Sequence, residues 1–395
     1  MIYPQFIPTY TQLSTTFPKN LKNMDKIMTN SPYFSQNFSQ ITNEQTHQDS
    51  YFMRLAIQLA KKGQFTTRPN PCVGCVIVKD NNIIGEGYHY QAGQPHAEVF
   101  ALRQAKQAVG DDLTGATAYV TLEPCSHHGR TPPCADALIN ANIRRVVIAV
   151  TDPNPKVAGG GIEKLTNAGI AVTTGVCHDE AYALNQGFFK TMSGGLPYVR
   201  LKIASSLDGR IAMQSGESKW ITGATAREDV QRLRAISGAI ITGSQTVLAD
   251  SPSLNVRSPQ LASLSNIPQP LLVVLDRRKR LNVTDDLIKS WVKNQAENRP
   301  FYLCQDDVSL TEILRQLRDD YHIHDVMVEA GATLSTAFLQ QNLVDELIIY
   351  QAPCLLGSSA IPMFTADFAK MCEQLRFNLQ SHETIGDDIK FVFRQ

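Results

Sequence analysis

Two different α/β domains in tandem are what the sequence predicts, and three observations predict them. The chain has 395 residues, enough for two to three domains at roughly 150 residues each. Strand-sized apolar runs alternate with helical stripes through both halves, the order expected of α/β layers on a mostly parallel sheet. Ser193-Gly194-Gly195-Leu196-Pro197 then interrupts the alternation as a linker, and no repeat is recognisable across it.

Residues 1–48 stand apart from the rest. They are rich in Asn, Gln, Ser and Thr, poor in charge and without a sustained period, and read as a poorly ordered extension. The first domain is expected over residues 49–193. Its opening helix, Tyr51–Lys62, follows from the stripe Phe52, Leu55, Ala56, Leu59 and Ala60, and Gly63 stops it. Val73–Val78 and Ile83–Gly87 read as strands turned by Asp80-Asn81-Asn82. A helix over His96–Val109 enters behind Pro95, and strand Ala116–Leu122, short helix Cys134–Asn140 and strand Arg145–Val150 follow. A helix near Gly161–Ala168, a strand at Ile170–Thr174 and a helix near Asp179–Met192 complete the domain.

The second domain is expected over residues 194–395. Its strands fall at Tyr198–Ser205, Ala239–Thr242, Leu271–Leu275, Phe301–Cys304, Asp325–Val328, Glu346–Ala352 and Lys390–Phe393. Helices are expected near Thr225–Ala235, Thr311–Asp319 and Thr333–Gln341.

Composition excludes some functions. Lys plus Arg and Asp plus Glu balance at 37 each, which argues against a nucleic-acid partner gripped through its phosphates. The longest apolar runs, such as Val146–Val150 and Leu271–Leu275, are far short of the ~18 residues a membrane span needs. The N-terminus has no signal-peptide pattern, so a cytoplasmic location is expected. Eight cysteines spread along such a chain read as free thiols or metal ligands.

One constellation carries clear chemistry. Pro95-His96-Ala97-Glu98 opens a helix, Pro124-Cys125 follows a strand, and Pro132-Pro133-Cys134 opens another helix. One His and two Cys are three ligands of a catalytic Zn²⁺, with a fourth position left for water. Helix N-termini favour thiolates. Glu98 could reach that water without ligating and shuttle its proton during attack on an amidine-type carbon. A structural zinc site with His127 or His128 as fourth ligand is the competing reading. Cys72 and Cys75 alone would suggest a redox or zinc pair. They open an apolar strand, however, where residues three apart point to opposite faces, so both read as strand cysteines.

The second half lacks the Gly-x-Gly-x-x-Gly fingerprint of a Rossmann domain. It offers two strand–turn–helix junctions instead, Ile240–Thr246 and Val328–Ala337, where small residues let backbone N–H groups approach a phosphate.

The His-x-Glu, Pro-Cys and second-Cys order resembles the zinc deaminase pattern, with one departure: eight residues separate Cys125 from Cys134. That longer run, Pro124-Cys125-Ser126-His127-His128-Gly129-Arg130-Thr131-Pro132-Pro133-Cys134, resembles the riboflavin-pathway pyrimidine deaminases. So does Asn70-Pro71-Cys72-Val73-Gly74-Cys75-Val76. Later, Leu201–Arg210, Gly216–Thr222, Thr246–Leu254 and Val328–Gly331 resemble the fused reductase. Over all but its N-terminal extension the chain is thus similar to the bifunctional family of diaminohydroxyphosphoribosylaminopyrimidine deaminase / 5-amino-6-(5-phosphoribosylamino)uracil reductase.

The resemblance implies a cytidine-deaminase-like three-layer domain followed by a dihydrofolate-reductase-like domain. It implies one Zn²⁺ per chain on His96, Cys125 and Cys134, with Glu98 as proton shuttle, and Asn70 and Arg130 as substrate contacts. In the reductase it implies NADPH against Ala204, Trp220, Thr246, Asp250 and the turn Gly331, Ala332, Thr333, Leu334, Ser335, Thr336 and Ala337. Ser218, Arg234, Leu254, Arg257 and Glu329 would line the substrate site, with Arg234 and Arg257 able to clamp a ribose phosphate. Lys202 and Glu329 are candidates to assist protonation at the sugar. Asp208, before Gly209, reads as a turn residue. A small phosphoribosylamino-pyrimidine is the expected partner, with no nucleic acid, no membrane and a homo-oligomer. Two other readings compete: a nucleic-acid base deaminase with an appended domain, and a zinc-stabilised scaffold.

Overall fold

The computed structural model describes residues 43–127, 132–154, 158–264, 266–281 and 285–395. Residues 47–395 form one compact unit. The expected extension lies outside the described residues up to residue 42. Its last residues are already helical, because α1 spans Asn43–Lys62.

The N-terminal half is built on a five-stranded sheet ordered β2-β1-β3-β4-β5. Its strands are β1 (Gly74–Lys79), β2 (Asn82–Tyr88), β3 (Thr117–Leu122), β4 (Arg145–Val150) and β5 (Ala171–Thr174). Its further helices are α2 (Ala97–Val109), α3 (Cys134–Asn140), α4 (Gly160–Asn167), α5 (His178–Tyr182) and α6 (Gln186–Met192). The sheet is less parallel than the strand–helix alternation suggests. β1 pairs antiparallel with both β2 and β3, while β3–β4 and β4–β5 are parallel. The cause is local: Asp80 and Asn81 take φ of 50° and 60°, the left-handed pair that closes a tight two-residue hairpin.

Alternate residues of each strand supply two cores, which is why helices cover both faces. Cys75, Ile77, Ala118, Val120, Val146 and Ile148 meet α2, α3 and α4 on one side. Val76, Val78, Tyr119, Val147 and Ala149 meet α1, α5 and α6 on the other. Cys75 is thus a core residue, and burial pushes the neighbouring buried Cys72 thiol up to about 11, which suits an inert strand-entry cysteine. The expected helix Asp179–Met192 is two helices. The break at residues 183–185 frees Asn185, whose amide accepts from the Cys72 N–H at 2.7 Å and donates to its carbonyl at 2.8 Å.

The C-terminal half carries an eight-stranded sheet ordered β10-β9-β8-β11-β6-β12-β15-β14, parallel from β10 to β12 and antiparallel beyond. Its strands are β6 (Tyr198–Ser206), β8 (Ala239–Gly243), β9 (Leu271–Leu275), β10 (Phe301–Cys304), β11 (Asp325–Val328), β12 (Glu346–Ala352), β14 (Asn378–Ile385) and β15 (Asp388–Arg394). A small pair, β7 (Arg210–Ala212) and β13 (Ile361–Pro362), stands beside it. α7 (Ala224–Ile236), α8 (Ser244–Asp250) and α9 (Asp286–Asn298) cover one face. α10 (Leu310–Asp319) and α11 (Ala332–Gln340) cover the other. Both halves are therefore three-layer α/β structures. No helix among the described residues is long and apolar enough to cross a membrane.

Candidate active sites

Three element ends converge in the N-terminal half. His96 is the N-cap of α2 behind Pro95, Cys125 follows β3, and Cys134 is the first residue of α3. Their donor atoms lie within 4.8 Å of one another. His96 Nδ1 is 3.3 Å from Cys134 Sγ and 3.7 Å from Cys125 Sγ, and the Cys134 N–H donates to Cys125 Sγ at 3.3 Å. Hydrogen bonding from Cys134 holds the Cys125 thiol well down, while the same bond, then burial, pushes Cys134 up.

Two thiols and an imidazole are a donor set that fits zinc and leaves one coordination position open. Glu98, one helical step into α2, is 3% exposed, and its Oε2 has no partner among the described residues. Burial pushes its carboxyl up to about 7 against the opposing pull of His96. A buried carboxyl with one unpartnered oxygen beside three metal donors fits a bound metal and a substrate more than a packing role.

Asn70 stands on the same side. Its amide donates to His89 Nε2 at 3.0 Å, His89 Nδ1 donates to the Pro95 carbonyl at 3.2 Å, and the His89 ring meets His96 edge-on at 5.5 Å. His89 escaped the sequence reading because a single His at a strand end carries no signal. Glu123 escaped it too. Buried after β3, it accepts from the N–H groups of Asp152, Gly159, Gly161 and Ile162 and so fixes the strand end from which Cys125 springs. Arg130 and His128 lie outside the described residues.

In the C-terminal half a cavity of about 1290 Å³ opens across the carboxyl ends of five parallel strands, where open α/β sheets bind ligands. Lys202, Ala204, Ser218, Trp220, Arg234, Thr246, Asp250, Leu254, Arg257 and Glu329 all line it. Gly331, Ala332, Thr333, Leu334 and Ala337 do as well. Ser335 and Thr336 do not reach it. Ser335 is buried with its hydroxyl on the Ala330 carbonyl, and Thr336 Oγ1 accepts from the Thr365 N–H. They fall on the inner face of α11.

Arg234 is less available for a phosphate than its type suggests. Nε and Nη2 bind both Glu329 oxygens at 2.6 and 3.0 Å, and Nη1 donates to the Asn255 carbonyl at 3.2 Å. That leaves Arg257 as the exposed guanidinium of the pair. Lys202 Nζ lies 3.7 Å from Glu329. Burial alone would push Glu329 up, but Arg234 and Lys202 hold it at about 2. Burial lowers Lys202. Ser218 donates to Asp250 at 3.2 Å. Trp220 is 68% exposed, with the Arg227 guanidinium 4.4 Å over its ring, so it is a rim residue and not a core aromatic. Asp208 closes a turn, accepting from Ser206 and from the N–H groups of Leu356 and Gly357. Arg277, Arg278 and Arg280 also line the cavity, just past β9. The run Asp276-Arg277-Arg278-Lys279-Arg280 was a signal the sequence reading passed over.

Comparison with known proteins agrees with these two sites. Residues 46–150 match the model of the cytidine and deoxycytidylate deaminase zinc-binding region, and residues 197–391 match the RibD C-terminal domain. The riboflavin biosynthesis protein RibD of Escherichia coli K12 is 47% identical over 363 residues, covering 87% of this chain and 98% of that protein. Its Haemophilus influenzae counterpart is 46% identical over 370 residues, covering 89% and 98%. The solved structure of Acinetobacter baumannii RibD (form 1) superposes with a TM-score of 0.81 at 55% identity, covering 88% of this chain and 99% of that one. The Thermotoga maritima diaminohydroxyphosphoribosylaminopyrimidine deaminase / 5-amino-6-(5-phosphoribosylamino)uracil reductase superposes at 0.78 with 36% identity, covering 88% and 99%. With near-complete coverage of proteins this similar, and a deaminase and a reductase site in one chain, the protein belongs to the RibD family of riboflavin biosynthesis.

Proposed function

We propose that this chain catalyses two consecutive steps toward riboflavin. The first is hydrolytic deamination of 2,5-diamino-6-(5-phosphoribosylamino)pyrimidin-4-one; the second is NADPH-dependent reduction of its ribosyl group to ribityl. The observation that carries the reading is the pairing, in one compact chain, of a His-Cys-Cys-Glu centre with an Arg-Glu-Lys cluster on a long cavity. We place the join between the two enzymes at residues 193 and 194, with a cytoplasmic location and self-association as a homodimer or tetramer.

In the deaminase, His96, Cys125 and Cys134 would hold Zn²⁺, which when bound makes a water acidic enough to lose its proton near neutral pH. Glu98 takes that proton at its unpartnered oxygen and passes it to the departing amino nitrogen. The C–N bond breaks, ammonia leaves and the ring carbon keeps the oxygen. Asn70, held by His89, orients the pyrimidine, and Arg130 is assigned as a substrate contact from its place in the sequence between Cys125 and Cys134.

In the reductase the cavity spans β10, β9, β8, β11 and β6, four strand spacings or about 19 Å, room for a dinucleotide laid across the sheet. The α11 N-terminus, past β11 and next to β6 in that span, suits the pyrophosphate, and the arginines past β9 suit the 2′-phosphate toward the other end. Lys202, Arg234 and Glu329, which line the cavity toward β6, would then face the nicotinamide end. When bound, NADPH would supply a hydride for C1′ of the sugar. Lys202 is placed to give the proton that the ring oxygen needs as the C1′–O bond opens. Arg257, Leu254 and Ser218 hold the substrate.

The test follows ammonia release and NADPH oxidation in parallel on the diaminopyrimidine substrate. Glu98→Gln stops both, yet leaves reduction of pre-deaminated substrate at its normal rate. Ammonia without NADPH oxidation would remove the reductase assignment, and retention of both by Glu98→Gln would remove the deaminase mechanism.

A further inference from the structure

The segment from Gly63 to Asn70 belongs by sequence to the deaminase half, between α1 and β1. Its end, Asn70, reaches the zinc-donor centre through His89. Its middle does something else. Phe65 is buried in a small apolar cluster whose other members are Ala235 and Leu261, flanked by Ile236, Val256, Leu264 and Ile267. All of those lie in the reductase half. Three residues on, Arg68 Nη2 donates to the Pro268 carbonyl at 2.7 Å.

The partners of Phe65 and Arg68 fall on one stretch, residues 255–269, and on the end of α7. That stretch leads out of Leu254 and carries Arg257, both on the cavity wall. Its described residues form no helix or strand to hold it. Gln269 ties its two ends, accepting from the Val256 N–H at 2.8 Å and donating to the Val256 carbonyl at 2.9 Å. The Arg257 N–H donates to Gln231 of α7 at 3.0 Å. Arg299 binds the Leu254 and Ser253 carbonyls from behind. These bonds fix the roots of the loop, and the side of it that needs an apolar support finds Phe65.

We propose that Phe65 and Arg68 are positioning residues for the reductase. They hold the loop that presents Arg257 to the substrate phosphate, so the deaminase half supplies part of the wall of the other enzyme's substrate site. The same eight-residue segment ends in Asn70, so the two sites share one strap. The proposal rests on the assignment of Leu254 and Arg257 to the reductase substrate site, and the experiment separates the two.

Steady-state reduction of pre-deaminated substrate is measured on the full chain with Arg257→Ala, Phe65→Ala, Phe65→Leu, Arg68→Met and the double variant Phe65→Ala/Arg257→Ala. Arg257→Ala is expected to raise KM for the pyrimidine about tenfold, the loss of one charge-assisted contact. Phe65→Ala is expected to raise the same KM at least fivefold, with KM for NADPH and kcat within twofold, and Phe65→Leu to restore it. In the double variant Phe65→Ala should add little to Arg257→Ala, because it acts through that side chain. A merely structural role would lower kcat and both KM-derived affinities together and would survive in the double variant. If Arg257→Ala leaves KM unchanged, the site assignment fails. If Arg257→Ala raises KM but neither Phe65→Ala nor Arg68→Met does, the positioning proposal fails. Should Phe65→Ala not fold, Arg68→Met alone decides, since it removes the hydrogen bond to Pro268 while keeping an unbranched side chain of similar length in place.

Discussion

Glu329 keeps its charge where burial would normally neutralise it. It is buried at the end of β11, yet Arg234 and Lys202 hold its carboxyl at about 2, below its ordinary value of 4.5. A lowered carboxylate contributes stability above its unfolded-state value and loses it as pH falls toward the folded one. The contribution is therefore complete above about pH 5 and disappears between there and pH 2, worth about 3 kcal/mol for a shift of this size. Denaturant midpoints measured from pH 7 to pH 3 should fall more steeply for the native protein than for Glu329→Gln. At pH 7 that variant should be less stable by ~3–5 kcal/mol, because Arg234 is left buried without its partner. Equal slopes would place Glu329 outside the ion pair in solution. The cluster of His96, Cys125 and Cys134 was legible in the chain because its chemistry depends on residue type and on helix starts, both of which are local. The commitment of Arg234 to Glu329 was not, because 95 residues separate them and only the α7–β11 packing brings them together.

At the scale of elements, the turn after β9 makes the sharpest expectation. Asp276 is buried and accepts from the Arg280 and Leu281 N–H groups, so the turn is preformed and its guanidinium groups are presented without reorganisation. Arg280 is braced on Gln245 and Ser244 at 2.7 and 3.0 Å. Replacing Arg278 and Arg280 together by Ala should raise KM for NADPH tenfold or more, the scale of lost charge-assisted hydrogen bonds. KM for NADH should stay within twofold. Equal losses for both cofactors would put the 2′-phosphate elsewhere. The elements that sequence reasoning reached were those the core marks directly: β4 and β9 as unbroken apolar runs buried on both faces, and α2 as an apolar stripe at helical spacing. It did not reach α9 or β14. β14 is exposed along seven of its eight residues, so no apolar alternation marks it, and its place in the sheet comes from pairing with β15 alone. The division of α5 from α6 was hidden for another reason: Asn185 spends its amide on Cys72, a long-range bond with no local trace.

At the scale of the whole molecule, β14 is an edge strand with no neighbour on one side among the described residues, the kind of edge that proteins cover or pair. Leu379, on that strand, is 52% exposed. Sedimentation of the native protein should give the mass of a dimer or tetramer, and Leu379→Lys should lower it; a native monomer would remove self-association from the proposed function. Two α/β domains were legible from length, alternation and the Gly-Pro break. How they meet was not, since the seam is made of groups with no pattern of their own. Lys190 binds Asp345 at 2.7 Å, and Thr191 meets His324 at 2.6 Å.

Gly187 sits at that seam in α6, where a methyl group would collide with the His324 carbonyl and the Asp325 carboxylate. The fit between the halves is therefore finer than one carbon atom. A chain joined with such tolerance cannot be altered on one side of the join without an answering change on the other. Whatever advantage first brought two catalysts into one polypeptide, the glycine now makes their divergence a joint affair: each half inherits the shape of its neighbour as part of its own surroundings.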